Sequence, residues 1–311
     1  MNFIGLDVHK KQTQICVLTP DGKPFEKRVQ TEKETLVKEL RGFAPARLVL
    51  EASTESEWVA RQLEKVEGFE VVVADPNFEA MYGYRNRKIK TDIRDARALA
   101  EASQYGIFRK IHRVSPEQRQ VRHLLLIRQS LLQSRTRWIC VIRALLRQEG
   151  IGIPTGSSST FGRRVRKVEV PLSLQSQIDP LLEAMDCVEE KIQELEVQLE
   201  GLCENNESVK RLKTVPMIGN LTALYFLSSL DGAARFPNRR HVQSCFGLIP
   251  KESSSGEKQH RGNITKVGSP QIRSILVEAA WRILLSRNPK VRHIQQWTTK
   301  IAQRRDRKSV V

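Results

Sequence analysis

The chain has 311 residues, about twice the usual length of one domain, so we expect two domains, or one domain with a large insertion, and an ample hydrophobic core. A net charge of +17 and a pI near 9.9 favour a polyanionic partner, most simply a nucleic acid, over a membrane surface, for which no basic amphipathic helix or lipidation motif is present. Five scattered cysteines without a Cys-x-x-Cys pair argue against disulfides and structural zinc. No apolar run approaches the ~18 residues of a membrane span. We therefore expect a cytoplasmic protein.

The first domain, expected at residues 1–110, alternates between strand and helix patterns. Strands are predicted at residues 2–8, 13–18, 24–30, 47–51 and 70–74. Thr31 and Glu34 form a capping box that predicts a first helix, a second helix surrounds Trp58, and an Ala-rich third helix follows near residue 92. Three strands followed by helix, strand, helix, strand and helix is the element order of the RNase H-like fold, an α/β fold with a mixed sheet.

Four carboxylates fall where this fold would bring them together. Asp92 and Asp95 are three residues apart and project from one face of a helix, while Asp7 lies near the end of the first strand and Glu51 at the end of the fourth. Each acid alone is a common helix-start or strand-end residue. Open α/β sheets bind ligands at their strand ends, and converging carboxylates repel one another unless cations lie between them. The set therefore predicts a site for two Mg²⁺ ions about 4 Å apart, which would polarise a phosphate for in-line displacement.

The middle of the chain, residues 111–205, is predicted to be helical. A long helix with Pro116 in its first turn opens this part, and a Gly-, Ser- and Thr-rich segment at 150–170 is expected to be a mobile basic loop that orders on nucleic acid. Apolar residues then recur at alternating spacings of four and three from Leu181 to Leu202, the pattern of a coiled-coil seam. The sequence leaves open whether this seam pairs with the preceding helix as an antiparallel hairpin or with another subunit.

Residues 206–311 are expected to form a mainly helical third domain. Residues 213–220 predict a helix-hairpin-helix turn, in which a glycine lets backbone amides approach a phosphate. A segment rich in serine, glycine and cations is expected to be a loop before another helix. A hydroxyl from Ser253, Ser254 or Ser255 is able to attack a phosphodiester there, whereas the absence of a nearby Asp-His pair argues against acyl transfer.

Cations in all three parts are candidate contacts to a nucleic-acid backbone, because phosphate contacts need positive charge rather than a particular base. For the arginines of the long helix, a solvated face on a packed helix is an equally good interpretation. The candidates are Arg87, Lys90, Arg119, Arg128, Arg135, Arg163, Arg164, Arg166, Lys258, Arg261 and Lys266.

Motifs at both ends of the chain carry a family resemblance. The amino-terminal motifs are Gly5-Leu6-Asp7, Glu51-Ala52, Lys90-Thr91-Asp92 and Asp95-Ala96-Arg97. The carboxy-terminal motifs are Pro216-Met217-Ile218-Gly219, Arg235-Phe236, Gly247-Leu248-Ile249-Pro250, Ser254-Ser255-Gly256 and Gly262-Asn263-Ile264-Thr265-Lys266-Val267-Gly268. In this order they resemble the DEDD-type insertion-sequence transposases, recombinases guided by a bridge RNA. The chain departs from the family pattern at Ser53-Thr54, where Thr-Gly is usual, and at Val311, where relatives continue into a further helix.

The resemblance implies a RuvC-like catalytic domain in a bacterial, nucleoid-associated DNA recombinase with a bridge RNA that selects donor and target DNA by base pairing. The Mg²⁺ ligands that it implies are Asp7, Glu51, Asp92 and Asp95. Ser255 would be the nucleophile, forming a covalent phosphoserine link to DNA. In such recombinases the two halves of the active site come from different subunits, so a homo-oligomer, a dimer or a tetramer, is expected.

Two other functions fit parts of the sequence. A metal-dependent RuvC-like nuclease or junction resolvase would use the same carboxylates with water as the nucleophile, and Ser255 would then be an ordinary loop residue. A non-catalytic RNA- or DNA-binding protein would need only the positive charge. A covalent protein–DNA adduct distinguishes the recombinase from both.

Overall fold

Residues 1–82, 91–255 and 258–303 are described by the structure, a computed structural model of the chain, except for the side chains of residues 254, 255, 258, 259 and 261. The chain divides into a first unit, Met1–Arg113, and a second unit, Val114–Val311. None of the helices in the described ranges is long and apolar enough to cross a membrane.

A five-stranded mixed sheet forms the centre of the first unit. Its strands are β1 (Asn2–Val8), β2 (Gln12–Leu18), β3 (Pro24–Gln30), β4 (Ala46–Glu51) and β5 (Phe69–Ala74). Their order is β3-β2-β1-β4-β5, in which β1, β2 and β3 pair antiparallel and β1, β4 and β5 pair parallel. This order and the helices between the strands give an RNase H-like, mixed α/β fold, so the predicted fold class is confirmed.

Helices cover both faces of the sheet because successive strand residues point to opposite sides. The helices are α1 (Lys33–Leu40), α2 (Ser56–Leu63) and α3 (Asp92–Tyr105). Leu6 and Leu48 are fully buried with the apolar residues of α1 and α2. Val49, the next residue on β4, is buried on the other face with Leu99 of α3.

The capping box predicted at the start of α1 is wrong. Glu32 rather than Thr31 is the N-cap residue, and the Glu32 side chain makes no capping hydrogen bond. The Thr31 hydroxyl instead donates to the backbone carbonyl of His9 at 2.8 Å. A long-range hydrogen bond to the turn between β1 and β2 has replaced the local one that the spacing suggested.

Two helices of 33 residues each, about 50 Å long, dominate the second unit: α4 (Pro116–Gln148) and α6 (Leu172–Glu204). Two ion pairs join them, Arg128 to Glu196 at 2.5 Å and Arg135 to Glu189 at 2.6 Å. A step of seven residues forward on α4 matches a step of seven backward on α6, so the helices are antiparallel. Of the two pairings that the sequence left open, the chain therefore forms the internal hairpin.

The segment at 150–170, expected to be a mobile loop, contains the short helix α5 (Phe161–Val165). Phe161 and Val165 are four residues apart, so both side chains lie on one face, and both are buried in a cluster with Ile142 of α4. Burial of these two apolar side chains supplies the order that the Gly- and Ser-rich composition did not suggest.

The rest of the second unit is mainly helical. Its elements are α7 (Glu207–Leu212), α8 (Asn220–Leu230), α9 (Arg239–Cys245), β6 (Pro250–Ser255), β7 (Lys258–Ile264), α10 (Pro270–Leu285) and α11 (Arg292–Ala302). One core cluster contains Leu125 of α4, Leu199 of α6, Leu224 of α8 and Ile272 of α10. The boundary expected near residue 205 is therefore not a break in the core. The serine-rich segment, expected to be a loop, is the antiparallel β6–β7 hairpin.

Candidate metal centre and serine hairpin

Asp7 and Glu51 lie at the carboxyl ends of the neighbouring parallel strands β1 and β4. Gly5 pairs with Val49 and Leu6 with Leu50, so Asp7 and Glu51 are the next residues along on each strand. Since side chains alternate, Asp7 and Glu51 share the sheet face of Gly5 and Val49, which is the face that α3 covers. Two of the four predicted carboxylates therefore lie at one edge of the sheet, under α3.

The other two carboxylates come from the first turn of α3. Thr91 is the N-cap residue, and its hydroxyl accepts a hydrogen bond from the Arg94 backbone N–H. This cap begins the helix at Asp92 and places Asp95 one turn later, with Asp95 only 5% exposed. Asp95 and Asp92 both raise the pKa of Asp7 through like-charge repulsion, as expected for carboxylates that share one site.

Gly5 permits this approach of α3 to the sheet. A Cβ atom at Gly5 would lie 2.0 Å from the carbonyl oxygen of Ala96 and 2.4 Å from the backbone nitrogen of Ala100. Backbone atoms of α3 occupy the space that any side chain at position 5 would fill. The position of Asp92 and Asp95 over β1 thus depends on the missing side chain of Gly5.

His9 completes the cluster, and the sequence pattern does not predict it. Its Nε2 lies 3.3 Å from Asp7 Oδ2 and 3.6 Å from Asp92 Oδ1. Among the described residues, Asp7, His9 and Asp92 form the group whose potential ligand atoms all lie within 4.8 Å of one another. The available signal was spacing: His9 follows Asp7 by two residues, which places both on one side of an extended segment.

The donor set suits a divalent cation. Burial is the largest cause that raises the pKa of Asp7, His9 lowers it, and the neighbouring carboxylates of Asp95 and Asp92 raise it. Carboxylate oxygens and an imidazole nitrogen are ligands that divalent metals accept in proteins. A bound dication would remove the repulsion between the acids, so the residues present fit the metal that the fold class implies.

Asp7→Asn is expected to raise the melting temperature of the metal-free protein by a few degrees at pH 7 while abolishing divalent-metal binding. A carboxyl whose pKa is raised by burial destabilises the fold as the pH rises through its ordinary value of 3.8, and the full cost is present above its raised pKa. The amide has no such cost. The difference should vanish below pH 3.8, and thermal unfolding with chelator at both pH values measures it. Equal melting temperatures at pH 7 would contradict the expectation.

Ser255 is the last residue of β6, and its backbone pairs with Lys258 of β7. The base of this hairpin is fixed by close backbone contacts. A Cβ at Gly247 would lie 2.3 Å from the Val267 carbonyl oxygen, and one at Gly268 would lie 2.4 Å from the Cys245 carbonyl oxygen. One nitrogen of Arg273 donates to the carbonyls of Phe246, Val267 and Gly268.

The turn expected to be of the helix-hairpin-helix type joins α7 to α8. Gly219 is the N-cap residue of α8 and has an ordinary φ of −95°. The left-handed residue in the turn is Met217, with φ of 68°. A Cβ at Gly219 would meet no atom within 4 Å, so the space beside this backbone is open.

Three of the predicted nucleic-acid contacts are paired with acids. These ion pairs are Arg128 with Glu196, Arg135 with Glu189, and Arg166 with Asp186. Arg128 and Arg135 are each only 14% exposed, so their charges stabilise the helical hairpin. Binding of nucleic acid by these three arginines stays a prediction.

The other predicted cations differ in their surroundings. Arg119 donates to the Val114 carbonyl at 2.8 Å, Arg164 donates to the carbonyls of Pro154 and Ser157, and Arg163 and Lys266 are exposed. Arg87, Lys90 and Gly256, together with the side chains of Ser255, Lys258 and Arg261, lie outside the described residues.

The sheet is RNase H-like, and acids lie at the ends of β1 and β4 and in the first turn of α3, which is the arrangement expected of a DEDD-type enzyme. A family model described as "Transposase", of the DEDD type of IS110, matches residues 4–150, and the model "Transposase IS116/IS110/IS902 family" matches residues 209–296. The chain belongs to the IS110 family of transposases, which are DNA-recombining enzymes.

Relatives match along nearly the whole chain. The transposase of insertion sequence IS1111A from Coxiella burnetii is 27% identical over 98% of this chain and 84% of its own length. A probable family 20 transposase from Pseudomonas aeruginosa is 26% identical over 98% of this chain and 90% of its own. Among solved structures, Thermus thermophilus RuvC aligns over 36% of this chain and all of its own, with 14% identity and a TM-score of 0.28.

Proposed function

We propose that this transposase is an RNA-guided DNA recombinase that cuts and rejoins DNA through a serine–phosphodiester intermediate, with a Mg²⁺-dependent carboxylate site. The observation that carries the metal site is the convergence of Asp7, Asp92 and Asp95, with Glu51 at the same edge of the sheet. Ser255 is proposed from its place in the family motif and at the end of β6.

The proposed reaction has two balanced steps. The Ser255 oxygen attacks the phosphorus of a DNA phosphodiester, forming an Oγ–P bond, while the bond from phosphorus to the leaving deoxyribose oxygen breaks. The serine proton passes to solvent, and the leaving oxygen takes up a proton. A hydroxyl of the second DNA end then attacks the same phosphorus and loses its proton to solvent, which forms the phosphodiester that joins the strands. The Oγ–P bond breaks in this step, and Oγ takes up a proton to restore the serine hydroxyl. No phosphodiester is hydrolysed, because each step forms one phosphoester bond as it breaks another.

Asp7, Glu51, Asp92 and Asp95 would hold the metal, which would supply charge stabilisation for the phosphate oxygens. Arg28 is a cation next to these acids, and it contacts Asp92 Oδ2 at 2.6 Å. Without nearby positive charge, the carboxylates of the cluster would repel the negatively charged DNA backbone. The excess of 52 Lys and Arg over 35 Asp and Glu supports a nucleic-acid partner for the whole chain.

The guide RNA and the homo-oligomer, a dimer or a tetramer, are proposed from the family resemblance. A bridge RNA would choose donor and target by base pairing, so the protein would need only contacts to backbone and shape. RNA transcribed from the DNA that flanks the gene is the probe. We expect strand exchange to depend on this RNA and its site preference to change when the pairing segment is changed.

Ser255→Ala is expected to abolish a covalent DNA adduct, since an alanine side chain has no oxygen to bond phosphorus. The full-length protein is incubated with DNA, flanking RNA and Mg²⁺, and adducts are resolved on a denaturing gel. Ser253→Ala, two residues earlier on β6, is the matched control and should keep the adduct. An adduct that persists in Ser255→Ala would overturn the assignment of Ser255 as the nucleophile. Loss of the adduct in Ser253→Ala alone would assign the nucleophile to Ser253.

The nuclease or resolvase with a water nucleophile gives a different result in the same assay. It would release free DNA ends without an adduct, and Ser255→Ala would leave this cleavage unchanged while Asp7→Ala would abolish it. Binding of RNA or DNA without any Mg²⁺-dependent strand breakage would identify a non-catalytic protein.

A further inference from the structure

We propose that His9 is a metal ligand of the acidic centre, through Nε2, and that it makes the centre bind Mn²⁺ better than an all-oxygen site would. The inference rests on the metal centre of the proposed function. The sequence pattern of four carboxylates does not include this histidine. Mn²⁺ binds the same oxygen ligands as Mg²⁺ and also accepts an imidazole nitrogen.

Distances in the cluster are those expected between ligand atoms of one ion. Ligands that bind a small dication at ~2.1 Å at right angles lie about 3 Å from one another. His9 Nε2 lies 3.3 Å from Asp7 Oδ2 and 3.6 Å from Asp92 Oδ1, so a small adjustment brings the three atoms to that spacing. His9 is 58% exposed and Asp92 41%, so solvent and ions reach the centre.

The backbone of His9 is held in place. Its N–H donates to the Gln12 carbonyl at 3.1 Å, and its carbonyl accepts from the Thr31 hydroxyl at 2.8 Å. The Thr31 hydroxyl also shares a 2.9 Å hydrogen bond with the Thr13 hydroxyl, and the Thr31 N–H donates to the Lys11 carbonyl at 2.9 Å. The turn between β1 and β2 is thus fixed to the end of β3, which presents the imidazole to Asp7 and Asp92.

Asp92 is oriented from its other side. Arg28 contacts Asp92 Oδ2 at 2.6 Å, while Oδ1 is the oxygen nearer to His9. Ligating carboxylates in proteins are commonly held in this way by a partner outside the metal's ligands. Asp92 Oδ1 therefore stays on the side of His9, whose Nε2 also lies near Asp7.

The ligand atom determines which metal ion gains affinity from His9. Mg²⁺ binds oxygen ligands and loses its water reluctantly, so an imidazole adds little to its affinity. Mn²⁺ accepts nitrogen, so loss of His9 should weaken Mn²⁺ much more than Mg²⁺. We expect His9→Ser to weaken Mn²⁺ binding by about tenfold or more, on the order of the loss seen when a metal site loses a supporting group.

Pulsed electron paramagnetic resonance on the full-length, Mn²⁺-loaded protein tests the ligand directly. Wild type should show ¹⁴N modulation from a coordinated imidazole, and His9→Ser should show none. His293→Ser, an exposed histidine of α11, is the matched control and should keep the signal. Titration calorimetry with Mn²⁺ and Mg²⁺ on each chelator-treated variant gives the two affinities, and circular dichroism confirms that each variant is folded.

Absence of nitrogen modulation in wild type with bound Mn²⁺ would overturn the inference, as would equal loss of Mn²⁺ and Mg²⁺ affinity in His9→Ser. Asp7→Asn separates this failure from failure of the centre itself. If Asp7→Asn abolishes Mn²⁺ binding while His9→Ser keeps it, the carboxylate centre stands and His9 is not a ligand. If Mn²⁺ does not bind wild type, both the centre and the role of His9 are wrong.

Discussion

Gly5→Ala is expected to abolish divalent-metal binding and to lower the free energy of unfolding of the first unit by about 1–3 kcal/mol, the usual cost of overpacking a core. The new Cβ would lie 2.0 Å from the Ala96 carbonyl oxygen, and both atoms that meet belong to packed backbone. Relief requires α3 to move away from β1. Since Asp92 and Asp95 are in the first turn of α3, they would move away from Asp7 together.

Gly42→Ala is the matched control, because a Cβ at Gly42 would meet no atom within 4 Å. Metal binding by calorimetry and hydrogen exchange of the β1 amides measure the two effects separately. Gly42→Ala should leave both unchanged. A Gly5→Ala protein that binds metal as wild type does would show that α3 can adjust without displacing its acids, and would contradict the role given to Gly5.

The sequence predicted the first unit well because its signals are local. Each strand is a short apolar run bounded by turn residues, and the order of strands and helices permits few topologies. Asp7 and Glu51 are predicted ligands because strand ends are where open sheets bind ligands, and the structure places both at one edge of the sheet. The sequence pattern does not predict His9, because an isolated histidine after a strand has the appearance of a surface residue, and its proximity to Asp92 joins residues far apart in the chain.

The second unit was harder to predict because its decisive contacts join distant residues. Seven-residue spacing indicates the apolar seam of α6, but contacts between distant residues, such as the pairing of Arg128 with Glu196, are needed to show that its partner is α4. Serine has little preference for strands, so the composition of the β6–β7 segment suggested a loop. Its two strands are aligned by contacts at their base, where residues 247 and 268 meet backbone from the other side of the hairpin.

The acidic centre lowers the stability of the metal-free first unit. Burial and neighbouring carboxylates raise the pKa of Asp7, so the charged form that a metal needs is the form that the metal-free fold disfavours. Hydrogen bonds at the His9 turn and the contact of Gly5 with α3 hold the groups together despite this cost. A cluster of acids of this kind is therefore stable only within a scaffold that fixes its position.

Gly247→Ala is expected to abolish adduct formation and to destabilise the second unit more than a glycine-to-alanine change at an equivalent backbone conformation. Gly247 has φ of +67°, and a Cβ there would also lie 2.3 Å from the Val267 carbonyl oxygen. Gly150→Ala is the matched control, because Gly150 has φ of +70° with no atom within 4 Å of its Cβ position. Both variants carry the left-handed strain of about 1–2 kcal/mol, but only Gly247→Ala adds the collision.

Urea unfolding of the two variants isolates the collision, since the strain is common to both. We expect Gly247→Ala to lose about 1–3 kcal/mol more than Gly150→Ala, the range for overpacking at a site that cannot relax. Relaxation would separate residue 247 from residue 267 and so release the base of the β6–β7 hairpin that carries Ser255. If Gly247→Ala is no less stable than Gly150→Ala and still forms the adduct, the base of the hairpin does not position the serine.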